Sequence, residues 1–153
     1  QDFEFNNGNI EVKSTTKKEH RTVTINSEKQ LDPRGFKNLN LYVLSLKEIN
    51  ADENTLPKIV NDIYKYLEEN HKADKRIFRN YLFQAGYFDE HADRYLENGY
   101  FVDKEELFDV TDFNKFPSIV DVPVGVGHVK YQIVLAACQD FLVDIDETVK
   151  EVT

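Results

Sequence analysis

Apolar and polar positions alternate from the start of the chain. Phe3, Phe5, Ile10 and Val12 interleave with Asp2, Glu4, Glu11 and Lys13, and Asn7-Gly8 stands between the two halves. Period-two alternation predicts two strands. Asn-Gly suits a two-residue type I′ turn between them, because both central residues then need positive φ. The hairpin so defined pairs Asn6 with Asn9, Phe5 with Ile10, Glu4 with Glu11, Phe3 with Val12 and Asp2 with Lys13. Successive side chains point to opposite faces, so Phe3, Phe5, Ile10 and Val12 make a core face, and Asp2, Glu4, Glu11 and Lys13 gather on the other.

Further along, Arg21 to Ile25 alternates again, with Val23 and Ile25 on one face and Thr22 and Thr24 on the other. Asn26 to Leu31 offers a capping residue and helix formers, closed by Asp32-Pro33 and Gly35, and predicts a short helical turn. Leu39 to Ile49 is apolar nearly throughout, the pattern of a central strand covered on both sides. Helical spacing then places Leu56, Ile59, Val60, Ile63 and Leu67 on one stripe over 55–69. A second stripe, over 74–85, holds Ile77, Phe78, Tyr81, Leu82 and Ala85. Both stripes are expected to be core. A short third helix is expected over 89–96. Tyr100–Val102, Leu107–Val110 and His128–Leu135 read as strands of an antiparallel sheet, and 144–152 as a closing helix.

The length of 153 residues supports one domain, or one domain with an appendage, and 41% apolar with 31% charged residues describes a soluble globular chain. Its natural division is 1–50 as core strands and 51–153 as a helical and β extension packed on them. No apolar run approaches the eighteen or so residues of a spanning helix, so no membrane partner is expected. The single Cys138 cannot close an internal disulfide; it reads as a small core residue, and a cytoplasmic location follows. Starting at Gln1 without a Met suggests a fragment or a processed chain.

Net charge is −9, which disfavours indiscriminate nucleic-acid binding, yet the charge is uneven. Residues 1–40 hold seven Lys/Arg and six Asp/Glu, a balance of +1, leaving twelve and twenty-two, a balance of −10, for 41–153. The first quarter can therefore carry a locally basic surface.

Neighbouring carboxylates raise one another's pKa, and a divalent cation offsets that cost. Two or three carboxylates with nearby carbonyls and waters suit Mg²⁺, with Mn²⁺ the other candidate. Lys13, two residues from Glu11, can then orient an attacking water or stabilise charge developing on a phosphate. A solvated sheet face with Glu-Lys pairs accounts for the same residues, and both readings stay open. Ser14 to Arg21 is polar and basic, fit either to contact a phosphate backbone or to be an ordinary loop. The four histidines show no metal-ligand spacing, no Gly-x-Ser-x-Gly elbow is present, and Gly125-Val126-Gly127 reads as a turn rather than a phosphate loop.

Asp2, followed after a short hairpin by Ile10-Glu11-Val12-Lys13, resembles the PD-(D/E)XK nuclease signature. Gly86-Tyr87, Tyr95, Phe116-Pro117 and Val122 to Val126 leading into Val129 to Ile133 resemble one bacterial family of unknown function within that superfamily. The likeness spans essentially the whole chain and departs at Gln1, where the signature has Pro.

What the resemblance implies is an α+β, restriction-endonuclease-like mixed sheet, N-terminally truncated, followed by a helical segment and a small antiparallel β part. An upstream helix that often supplies another acid would precede Gln1. The implied activity is Mg²⁺-dependent DNA cleavage in bacterial restriction or phage defence. Asp2, Glu11, the Val12 carbonyl and Glu4 would serve the metal, with Lys13 at the water. Ser14, Lys17 and Arg21 would meet the DNA, joined by Gln30, the polar residue on the helix after the Glu-x-Lys strand. The alternatives are a non-cleaving DNA- or protein-binding subunit, working with a methyltransferase or ATPase, and a hydrolase of another phosphate. A homodimer is compatible with each.

Overall fold

A computed structural model describes residues 2–50 and 53–153; Gln1 lies outside them. The chain forms two compact units, one of residues 1–46 and 102–153, the other of 47–101.

The first unit is built on a mixed sheet. Strands β1 (Phe3–Glu4), β2 (Asn9–Thr15), β4 (Leu39–Ile49), β5 (Gly99–Asp109) and β7 (Leu142–Val143) lie in the order β1-β2-β4-β5-β7. β1 pairs antiparallel with β2, and β2 pairs parallel with β4 from Asn9↔Leu39 to Thr15↔Ser45. Parallel neighbours need a crossover, and residues 16–38 supply it. The crossover carries β3 (Thr22–Ile25) and a 3-10 turn at Glu28–Leu31. β3 pairs antiparallel with β6 (Tyr131–Val134) in a separate two-stranded ribbon.

Alternation explains how ribbon and sheet meet. Val23 and Ile25 of β3 and Ile133 of β6 join Leu39, Leu41 and Val43 of β4 and Phe108 of β5 in one core cluster. Each of these side chains is at most 2% exposed, and burying an aliphatic side chain of this size contributes roughly 1.5–3 kcal/mol. Helix α3 (Ile145–Val152) closes the unit, capped by the Asp144 carboxylate, which accepts from Glu147 N–H at 2.9 Å.

The opening hairpin departs from the sequence reading in three ways. Its register is Phe3↔Ile10 and Glu4↔Asn9, two residues away from the expected pairing. Phe5 N–H bonds the Gly8 carbonyl at 3.0 Å, so the chain reverses at Asn6-Asn7 rather than at Asn7-Gly8, and neither Asn7 nor Gly8 takes positive φ. Gly8 is instead required by close packing: a Cβ there would lie 2.8 Å from Val152 Cγ1 and 3.2 Å from the Asn38 carbonyl oxygen. Finally, Phe3 and Phe5 are exposed, at 54% and 36%, whereas Glu11 is 1% exposed. A two-residue slip preserves which side chains share a face. Which face is covered depends on β4, a partner the local alternation does not identify.

The later β segments also differ from expectation. Tyr100–Val102 and Leu107–Val110 belong largely to one continuous strand, β5. His128–Leu135 yields only the four residues of β6, which pairs with β3 rather than β5, and Leu135–Phe141 turns into 3-10 helix. Gly125, at φ +90°, lies in a turn closed by Val126 N–H to the Pro123 carbonyl, as expected.

The second unit holds α1 (Leu56–Asn70) and α2 (Lys75–Gln84), followed by a 3-10 segment, Asp89–Tyr95. Their predicted stripes are not a buried core: Leu56, Ile59, Ile63, Ile77 and Tyr81 are exposed, while Val60 and Pro57 are buried. Helical spacing defines a face without showing whether anything covers it. Residues 102–153 return to the unit of β2.

Candidate active site

Strand β2 positions the acid and the base. Its register sets Glu11 beside Leu41, Lys13 beside Val43 and Thr15 beside Ser45, so all three project on the side of the sheet where the core cluster lies. Glu11 is therefore a buried carboxylate. Lys13 Nζ donates to Glu11 Oε1 at 2.6 Å, with the two side chains 13% and 1% exposed. Burial pushes the Glu11 pKa above its ordinary value, the hydrogen bond and charge of Lys13 oppose the rise, and the nearby charge of Asp2 adds to it.

Asp2 reaches the same strand from the hairpin. Its Oδ2 accepts the backbone N–H of Val12 at 2.8 Å, which ties it beside Glu11 and Lys13. The shifted register makes this reach possible, since the position one step beyond the Phe3↔Ile10 pair falls at Glu11 rather than at Lys13. Glu4, exposed, sits opposite Asn9. Among the described residues, no group of three or more His, Cys, Asp or Glu side chains is gathered closely enough to hold a metal ion. Asp2 and Glu11 make a two-carboxylate donor set within mutual electrostatic reach, one member buried. That chemistry fits a hard divalent cation, which keeps waters and takes few protein ligands.

Beyond Lys13, a groove of about 510 Å³ runs between the end of β2 and the ribbon. It is lined by Lys13, Ser14, Thr15, Thr16, Lys17, Thr22, Thr24 and Gln132, with Val12 at one side. Ser14 and Lys17, marked from sequence, are therefore in it. Arg21 and Gln30 are not. The Arg21 guanidinium is bonded to Glu106 through both terminal nitrogens and to Ser45 Oγ at 2.8 Å. Gln30 Oε1 accepts from Asn26 N–H at 2.8 Å and closes the 3-10 turn. Thr22 and Thr24 carried a sequence signal in their alternation with Val23 and Ile25. Gln132, more than a hundred residues away, reaches them only through the Thr24↔Gln132 pairing of β3 and β6.

A mixed sheet whose parallel-paired strand bears Glu-x-Lys, with an Asp on the antiparallel partner side, defines an α+β protein with a PD-(D/E)XK-like fold. Residues 1–136 match the profile described as "Putative PD-(D/E)XK family member", a domain of unknown function, and the chain belongs to that family. No characterised protein and no solved structure matches the chain. The superfamily is nuclease-like and generally uses divalent metals. No helix among the described residues is long and apolar enough to cross a membrane.

Proposed function

We propose that the chain carries the hydrolytic centre of a divalent-metal-dependent DNA endonuclease, with Mg²⁺ as the expected ion, Mn²⁺ as the substitute, and bacterial restriction or phage defence as the setting. The observation that carries this reading is the buried Glu11 carboxylate held at 2.6 Å by Lys13, with Asp2 tied to the same strand through Val12 N–H. Asp2 and Glu11 would hold the ion, with the Val12 carbonyl and Glu4 as further oxygen donors. A bound divalent cation supplies charge neutralisation at a phosphate and a lowered pKa for water.

The remaining work falls to the chain's own groups. Glu11 keeps the Lys13 ammonium in one place, so that its charge meets a phosphoryl oxygen at no reorganisation cost when negative charge develops there. Lys13 also has donors beyond the one given to Glu11 with which to orient the attacking water. Asp2, anchored to the Val12 amide, contributes its charge from a fixed position.

The test is conversion of supercoiled plasmid by the full chain in Mg²⁺, Mn²⁺ or EDTA, alongside Lys13→Ala and Glu11→Gln. Metal-dependent cleavage should fall by about 10²-fold or more in Lys13→Ala, the scale on which a positioned proton-transfer or charge-stabilising group acts. Equal activity in the two proteins removes Lys13 from the mechanism. A second reading, a DNA-binding subunit that does not cut and serves beside a methyltransferase or ATPase, is favoured because, among the described residues, Glu4 does not gather with Asp2 and Glu11 into a group of three side chains able to hold a metal ion. Duplex binding without cleavage in either metal would establish it.

A further inference from the structure

We infer that the groove between β2 and β3 is a binding track for the phosphodiester backbone of duplex DNA, leading from Lys13 along Lys17, Thr22 and Thr24. The inference rests on the hydrolytic reading of Lys13, which places the scissile phosphate at the mouth of this groove.

Charge is the first observation. The chain has 28 acidic residues against 19 Lys/Arg, yet the groove is lined by two lysines and by no carboxylate; Lys13 is paired with the buried Glu11, which leaves Lys17 as the cation turned to an incoming anion. A basic, acid-free concavity on an acidic molecule attracts anions locally while the rest of the surface repels nonspecific polyanion contact.

Donor chemistry is the second. Ser14, Thr15, Thr16, Thr22 and Thr24 set five hydroxyls along the groove, and Gln132 adds an amide. Lys17 Nζ donates to Thr22 Oγ1 at 2.8 Å across it, and Lys17 N–H donates to Thr15 Oγ1 at 3.3 Å. Both hydroxyls act there as acceptors and keep their own O–H to donate, and the Lys17 ammonium keeps two of its three N–H. The side chains of Ser14, Thr16, Thr24 and Gln132 make no hydrogen bond to other described residues. Hydroxyl, amide and ammonium donors of this kind make up the usual phosphate-contacting set and carry no base information.

The missing chemistry discriminates between forms of nucleic acid. No lining residue is aromatic. Proteins that bind single strands stack successive bases on aromatic rings, and this groove has none to offer. Duplex DNA stacks its own bases and presents only its backbone, which is what the groove can hold.

Alternation built the wall. In Thr22-Val23-Thr24-Ile25, Val23 and Ile25 enter the core and leave the threonines on the other face, where the Thr24↔Gln132 pairing adds the amide. The β3 side of the groove is therefore backed by packed strands, while Thr16 and Lys17 come from the loop that follows β2.

The test is anisotropy of a labelled 20-base-pair duplex and of the same single strand, in EDTA, over a range of salt, with cleavage assayed separately in Mg²⁺. The duplex should bind more tightly than the single strand. Lys17→Ala should reduce the slope of log K against log salt by about 0.9, one phosphate contact. Thr22→Val/Thr24→Val, which keeps the β-branched shape, should weaken binding about tenfold regardless of DNA sequence, as expected for two lost hydrogen bonds. Unchanged affinity and slope in both variants, or tighter binding of the single strand, overturns the inference. If wild type binds through the groove but never cleaves, the track stands and the hydrolytic reading falls. If it cleaves while both groove variants behave as wild type, the reverse holds.

Discussion

Arg21 closes on Glu106 across 85 residues of sequence, and the carboxylate it meets is 1% exposed. Lys104 Nζ donates to the same carboxylate at 2.6 Å and Gln139 Nε2 at 3.4 Å, so a polar knot joins the crossover, β5 and the Leu135–Phe141 turn at the edge of the core. Removing one partner of a buried pair strands the other, at a cost of about 3–5 kcal/mol. Arg21→Ala should therefore lower stability by roughly 3 kcal/mol, with Lys104 and Gln139 softening the loss. Chemical denaturation monitored by circular dichroism measures it. A change under 1 kcal/mol would show the knot to be dispensable, and would free Arg21 for the DNA contact that its sequence position suggests.

The same knot sets an acid limit. Burial alone would raise the Glu106 pKa, but hydrogen bonds from Arg21, Lys104 and Gln139, together with the charge of Arg21, hold it below its ordinary value. A carboxyl whose folded pKa is depressed contributes stability that is fully present above its unfolded value of about 4.3 and is lost as pH falls through the folded value. Thermal midpoints should fall on acidification below about pH 4.5, and the Glu106→Gln variant should show a shallower fall. Parallel curves for the two proteins would assign the acid sensitivity elsewhere.

Cys138 should be chemically silent in the native protein. Burial and the nearby Glu106 charge push its thiol up to about 11, and its side chain is fully buried. Only the thiolate reacts, and at pH 8 about one molecule in a thousand carries it. Aromatic-disulfide titration should find no reactive thiol at pH 8 and one in guanidinium. Stoichiometric labelling of the folded protein within minutes would show that the Leu135–Phe141 turn opens readily.

Gly8→Ala tests the hairpin. The added methyl meets Val152 Cγ1 at 2.8 Å and the Asn38 backbone at 3.2 Å, and overpacking of this kind costs about 1–3 kcal/mol. If Gly8 served only the turn, a Val152→Ala background would not change the effect. The contact with α3 predicts that it will relieve part of the loss, as a double-mutant cycle in denaturant can measure.

Periodicity carried much of the fold. Leu39–Ile49 is a central strand with the bounds its apolar run indicates, and the helices at 56–70, 75–84 and 145–152 lie within a residue or so of their patterns. Asp2, Glu11 and Lys13 were found together as an acid-x-Lys strand with an acid on its hairpin, and the structure joins them through Val12 N–H and the Glu11–Lys13 bond. What local pattern could not supply was pairing at a distance. The covered face of Glu11 is set by β4, the wall of the groove by β6, and the commitment of Arg21 by Glu106. Each depends on a strand far off in sequence, and alternation reads the same whichever partner arrives.

Strand order has a further consequence during synthesis. β5 is the neighbour that covers the open side of β4, with Val110 N–H donating to the Leu39 carbonyl, yet residues 50–98 are translated between them. Until the ribosome has passed Val110, β4 has an unpaired, strongly apolar edge, the kind of surface on which nascent chains associate. Closing so long an intervening segment costs on the order of 3–4 kcal/mol of loop entropy before any pairing repays it. Early folding of 47–101 would shorten that effective loop and so set the pace at which the nuclease-like sheet is completed.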